Sequence, residues 1–225
     1  KIRYMFGGKA KVPLVIRTEG GTGRTLGAHH SQSLESWFIH IPGIKVVMPA
    51  TPYDAKGLLK TSIRDDNPIL FIEHKMLYNT KGQVPEEEYL VPLGEAEVKR
   101  KGTDITLITY SRMLLYSLEA AEGLEKQGVS VEVINLRTLL PLDIKTIAAS
   151  IKKTNRVVIV EEDCKTGGVG AEIGMQITEN SFNDLDAPIK RVAGADVPMP
   201  KSPILEKLAI PSKEDIIKAV RETLR

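Results

Sequence analysis

Cysteine is almost absent: Cys164 stands alone in 225 residues. That excludes an internal disulfide and any cysteine-rich metal site, and it suits a reducing compartment. Neither sign of charge is in surplus, since 31 Lys and Arg face 29 Asp and Glu for a formal net charge of +2. The basic residues are scattered and form no stripe that could neutralise a phosphate backbone, so no nucleic-acid partner is expected. No apolar run approaches the roughly 20 residues that cross a bilayer, so no membrane partner is expected either. Lys1 to Gly8 lack a hydrophobic signal core; Ile2, Met5 and Phe6 fall at helical spacing before Gly7-Gly8, as in the tail of a helix. No repeat of solenoid period is present.

What is present is alternation. Apolar runs trade places with amphipathic stretches along the whole chain, the pattern of an α/β protein with parallel sheets. In the first half, Val12–Arg17, Ile44–Met48 and Ile69–Glu73 read as strands. Thr51-Pro52 opens a helix whose apolar face is Ala55, Leu58, Leu59 and Ile63, and Asn67-Pro68 ends it. Residues 79–94 have no period, carry Pro85, Pro92, Gly82 and Gly94, and read as a linker crossing the surface. The second half restarts the alternation. Strands are expected at 104–110, 129–136, 156–162 and 189–192, and helices at 114–127, 143–153, 171–179 and 213–224.

Three segments mimic binding motifs. Thr166 to Gly174 is glycine-rich between a strand and a helix, but the dinucleotide spacing G-x-G-x-x-G puts its third glycine at 173, where Ile stands. A close packing turn is the better reading. The loop Glu19 to Gly23 lacks the Lys-Ser/Thr of a phosphate loop. Glu161-Glu162-Asp163 could suggest a metal site, yet successive strand side chains point to opposite faces. The strongest chemical signal is Gly27-Ala28-His29-His30-Ser31-Gln32-Ser33: two imidazoles, which titrate near pH 6.5, beside hydroxyls and an amide.

Ordered blocks along the whole chain resemble one family. They are Val12–Arg17, His29–Ser33, Pro42–Val47, Asp54–Leu59, Ile63–Pro68, Glu73-x-x-x-Leu77-Tyr78, Glu132–Thr138, Pro141–Asp143, Thr166–Glu172 and Ala187 to Pro200. The chain is similar to the β subunit of thiamine-diphosphate-dependent 2-oxo acid dehydrogenase E1 components, and Gly194–Pro200 is worded most like the pyruvate branch. The resemblance implies a partial transketolase-type pyrimidine-binding domain at 1–78, a linker at 79–94, and a doubly wound transketolase C-terminal domain at 95–225. It also implies that the chain enters partway through the first domain. The family's cofactor-activating glutamate then belongs to an earlier stretch, neither Glu19 nor Glu35 replaces it, and this piece alone is inactive.

The implied chemistry is decarboxylation of pyruvate on thiamine diphosphate with magnesium, bound in a full α/β assembly, then reductive acetylation of a lipoyl group. His30 matches the family's active-site histidine, with His29 as its neighbour and Ser31 and Gln32 expected to orient it by hydrogen bonds. Ser62, Asp65 and Asn67 match a potassium site, at a helix C-terminus where free carbonyls favour cations. His40 and His74 are expected to make ordinary hydrogen bonds at a helix end and a strand end.

Implied partners are the E1 α subunit, a second β subunit, and the lipoyl and subunit-binding domains of an E2 acetyltransferase. Leu58-Leu59 and Trp37-Phe38-Ile39 are expected to lie open as interfaces. Two alternatives accompany this reading: the β subunit of a branched-chain or acetoin dehydrogenase, and a catalytically incompetent assembly module. Bacterial cytoplasm, mitochondrial matrix and plastid stroma all suit the composition.

Overall fold

Runs rich in Val and Ile form the strands of each half, as a computed structural model describing all 225 residues shows. The first half contributes α1 (Ile2–Met5), β1 (Val15–Gly20), α2 (Glu35–Ile39), β2 (Lys45–Val47), α3 (Pro52–Arg64) and β3 (Ile69–His74), closed by a 3-10 turn at Lys75–Asn79. There follow β4 (Glu97–Arg100), β5 (Ile105–Thr109), α4 (Met113–Glu125), β6 (Val131–Asn135) and β7 (Thr138–Leu140). The chain ends with α5 (Ile144–Thr154), β8 (Val157–Cys164), α6 (Val169–Ser181), β9 (Lys190–Gly194), α7 (Pro203–Ala209) and α8 (Lys213–Thr223). No helix is long and apolar enough to cross a membrane.

Helix starts follow their caps. Thr51 accepts the Asp54 amide at 3.1 Å with Pro52 in the first turn, and Asp143 accepts the Thr146 amide at 3.1 Å. Ser212 and Asp215 form a reciprocal capping box at α8.

The strands make two sheets, ordered β1-β3-β2-β7 and β4-β6-β5-β8-β9. All neighbours are parallel except β7 on β2 and β4 on β6. α4 and α8 cover one face of the second sheet with Leu114, Ala121, Ile216 and Val220. On its other face, Ile147 and Ile151 of α5 and Ile173 and Ile177 of α6 join a cluster that also holds Val46, Met48, Leu70 and Ile72 of the first sheet. The halves therefore share one core.

The second half lends β7 to the first sheet through Val46↔Leu140 and Val47↔Thr138. Two sequence expectations need correcting. Residues 79–94 are irregular but do not merely cross the surface. Tyr89 stacks on Tyr53 with ring centroids 4.4 Å apart, Lys56 donates to the carbonyls of Pro85 and Glu87, and Val91 is buried against Leu58 and Phe71. Gly57 permits this approach inside α3, since a Cβ there would lie 2.5 Å from Val91. Leu58 is thus fully buried rather than open, Leu59, Phe38 and Ile39 are half-buried, and Trp37 alone of the expected faces is exposed.

Four elements escaped the sequence reading. β4 reads Glu-Val-Lys-Arg at an edge, with only Val98 apolar; β7 has three residues and α2 five; α7 leaves Ile204, Leu205 and Leu208 exposed.

The halves are also joined by ions. Asp54, fully buried in α3, accepts from Arg137 Nε at 2.8 Å and Asn135 Nδ2 at 3.0 Å, and Arg137 reaches Glu97 at 2.9 Å. Removing one partner of a buried pair strands the other. Asp54→Ala is expected to cost about 3 kcal/mol in urea unfolding; a loss below ~1 kcal/mol would show that Glu97 alone satisfies the Arg137 guanidinium.

Candidate active site between the two sheets

Ligands of open parallel sheets gather outside the carboxyl ends of the strands. Here β1 and β3 end side by side, at Gly20 and His74, and the end of β8 at Glu161–Cys164 comes up against them.

Three consecutive residues leave β3 in three directions. Glu73 takes a bidentate ion pair from Arg17, at 2.7 and 2.9 Å, and the Tyr78 hydroxyl at 3.3 Å. His74 is buried, and its Nδ1 accepts the Met76 amide at 3.1 Å. That nitrogen carries no proton, so Nε2 does, and it donates to Glu162, whose two oxygens lie at 3.0 Å. Lys75, also buried, extends its ammonium to the carbonyl of His30.

Glu162 also accepts the Thr22 amide at 2.7 Å and faces Arg112 at 3.6 Å. Burial pushes this carboxyl up, but His74, Arg112 and the Thr22 amide outweigh it and hold Glu162 below the usual carboxylate range. The contact demands a glycine at 21, where φ is +83° and a Cβ would lie 2.2 Å from His74 Nε2.

The other two acids take different partners. Glu161 takes Arg191 and the Gly170 amide, while Asp163 takes the Ser36 hydroxyl and the Cys164 amide. Burial keeps both raised. No three His, Cys, Asp or Glu side chains converge as metal ligands. Both glycine-rich segments serve the chain's own carboxylates. The Thr22 amide goes to Glu162, those of Gly23 and Thr25 go to Glu206 at 2.8 and 3.1 Å, and that of Gly170 goes to Glu161.

The histidine pair sits on an exposed turn, with ring centroids 6.4 Å apart and no hydrogen bond to either imidazole. Ser31 and Gln32 do not orient His30 as expected. Ser31 faces inward with its hydroxyl buried and unpartnered, and Gln32 Nε2 folds back to the Ala28 carbonyl at 3.2 Å. Main-chain bonds hold the turn instead: Lys75 to the His30 carbonyl and the Gly21 amide to the Gln32 carbonyl at 2.9 Å.

Ala28 and Ser31, on either side of the pair, line a cleft of about 640 Å³. Trp37 lines it too, facing Asp163, Cys164 and residues 194–199. His40 is exposed at the end of α2.

Ser62, Asp65 and Asn67 do lie together at the C-terminus of α3. The Ser62 hydroxyl donates to the Leu58 carbonyl at 2.7 Å, however, and Asp65 is engaged by Lys45 and by the amide and side chain of Asn67. Lys45 thus supplies the cation that pairs with Asp65.

Sequence reasoning named Glu35 only to deny it the cofactor-activating role. It is buried in α2 and accepts the Tyr110 hydroxyl at 3.2 Å. Burial, then Asp163 and Glu162, push its carboxyl up to about 8. No spacing predicts such contacts, because His74 and Glu162 are 88 positions apart. The usable local signals were acids at the carboxyl end of a strand and a lysine closing an apolar one.

Residues 1–81 match the pyrimidine-binding domain of transketolase, and residues 94–216 match the transketolase C-terminal domain. Over 220 residues the chain is 52% identical to the pyruvate dehydrogenase E1 component subunit beta of Porphyra purpurea, covering 98% of this chain and 66% of that protein. It is 51% identical, also over 220 residues, to the subunit of the same name from Gracilaria tenuistipitata var. liui, covering 98% of this chain and 68% of that one. The chain thus spans about two thirds of the length of these relatives. A solved structure described as a split gene transketolase, inactive beta4 tetramer, superposes with a TM-score of 0.81 over 95% of this chain and 68% of its own. At 24% identity, that likeness speaks for the fold alone.

The raised Glu35 has a consequence for stability. A carboxyl titrating near 8 when folded and near the ordinary 4.5 when unfolded binds an extra proton in the folded state between those values. Stability from this group is therefore full at acid pH and is lost as pH rises from about 5 to 8, at up to ~1.4 kcal/mol per pH unit. Glu35→Gln should flatten that part of the pH dependence of urea unfolding; an unaltered slope would mean that folded Glu35 is already ionised.

Proposed function

The chain belongs to the 2-oxo acid dehydrogenase E1 β-subunit family, built on transketolase pyrimidine-binding and C-terminal domains, and from that premise we propose that it works as the β subunit of a pyruvate dehydrogenase E1. The reaction is oxidative decarboxylation of pyruvate with transfer of the acetyl group to a lipoyl arm. The proposed partners are an E1 α subunit, a second β subunit, and the lipoyl and subunit-binding domains of an E2 acetyltransferase. Exposed Ile204, Leu205 and Leu208 on α7, with Trp37 at the cleft, support work inside a protein assembly. We retain the division into a pyrimidine-binding part at 1–78, a connecting strap at 79–94 and a C-terminal domain at 95–225.

Family membership places the chain among thiamine-diphosphate-dependent enzymes, and the cofactor when bound supplies the carbanion chemistry. The cleft does not fit the cofactor's diphosphate. Its lining holds Glu162, Asp163 and Asp196 but no Lys, Arg or His, and like charge repels a diphosphate. We assign that end of the cofactor to the α subunit.

The observation that carries the reading is His30: an exposed imidazole, without a protein partner, on a turn whose backbone is fixed from below. Acetylation of a lipoyl disulfide gives one sulfur the acyl group and leaves the other as a thiolate that needs a proton. His30 is placed in this reading to give that proton, or to polarise the disulfide, as an incoming arm arrives from solvent. His29, equally exposed beside it, is kept as the neighbouring candidate.

His30→Ala in the assembled enzyme should slow reductive acetylation of a lipoyl domain by about 10² to 10⁴-fold. The melting temperature should not change, because the side chain is exposed and unpaired. Near-normal acetylation would remove His30 from the mechanism.

A further inference from the structure

Lys75 is the group that the proposed chemistry leaves unexplained. Its side chain is buried, with the residue 2% exposed. A buried ammonium is costly unless it is paired, and no carboxylate pairs with this one. Its only hydrogen bond goes to the main-chain carbonyl of His30. The other end of the same residue is also in use, since the Lys75 carbonyl accepts Arg24 Nη2 at 3.0 Å. Lys75 thus straddles the loop after β1, receiving one limb at Arg24 and holding the other at His30. Its neighbours are fixed on both sides: His74 by Glu162 and Met76 by His74 Nδ1. The ammonium therefore projects from one of the most constrained points of the fold into one of the least regular.

We propose that Lys75 is a positioning residue, which fixes the His30 turn from beneath so that the imidazole is presented outward at a set height and angle. The inference rests on the reading of His30 as the proton-transfer group. Holding the carbonyl pins the peptide plane after His30, leaving the imidazole little freedom beyond its own rotamers. Catalytic rate is sensitive to such placement, and a misplacement of about 1 Å costs up to ~10²-fold.

The test is a cycle of variants in the assembled α/β enzyme, with pyruvate, thiamine diphosphate and magnesium, and a free lipoyl domain as acceptor. Lys75→Met removes the donor and the charge but suits a buried site, so the melting temperature should hold or rise. The kcat for acetylation should fall about 10-fold. Lys75→Arg keeps a cationic donor and should recover most of that loss. In a His30→Ala background, Lys75→Met should cost nothing further, because a residue that acts through His30 has nothing left to position.

A full rate for Lys75→Met, or losses that multiply in the double variant, would overturn the positioning role. Should Lys75→Met fold poorly, Lys75→Leu, which likewise removes the donor, is put through the same cycle with the same criteria. A normal rate for His30→Ala alone would instead overturn the functional reading on which this rests, so the two failures are distinct.

Discussion

A carboxylate buried between two sheets constrains everything around it. Glu162, at the end of β8, has lost its water and must find donors or become protonated. It finds the Nε2 proton of His74, the amide of Thr22 and the nearby guanidinium of Arg112. Each donor fixes something else. The Thr22 bond brings the loop after β1 onto the second half, and His74 packs so close that position 21 must be glycine. With His74 immobile, the direction of Lys75 is set, and through it the turn that carries the two exposed histidines. The carboxylate never touches that turn, yet the height of the turn depends on it.

The same neighbourhood separates its acids by environment. Glu162 is held ionised by its donors, whereas Glu35, with only the Tyr110 hydroxyl, is pushed up to about 8. Burial and the charges of Asp163 and Glu162 act together on Glu35, so protonation there relieves a crowd of carboxylates without dismantling it. Groups kept apart in this way can hold a polar junction together without a metal ion.

How much of this was legible in the sequence depends on the range of the forces involved. β8 was plain, because an unbroken β-branched run implies burial on both faces, and α3 and α5 were plain because Thr51-Pro52 and Asp143 are local caps. β7 was not, since three residues carry no period and its partner β2 lies in the other half. The stretch 79–94 looked like a free crossing because proline and glycine say only that a segment is irregular. Whether it packs is decided by Val91 and Tyr89 meeting α3 some thirty positions away. The histidine pair was visible as chemistry, and resemblance singled out His30. The residues that hold its turn were not visible, because their partners are distant in sequence and one of those contacts is made to a backbone carbonyl, which no side-chain motif records.

The glycine-rich loops make the physical lesson sharper. A run of small residues with outward amides will accept whatever anion stands before it, and phosphate is only one such anion. Here Glu162 and Glu206 stand before the loop after β1, and Glu161 stands before the start of α6, where Arg191 balances it. Each amide given to a carboxylate is withdrawn from any external ligand. The loop after β1 therefore joins the halves, while the start of α6 ties Glu161 within the second half.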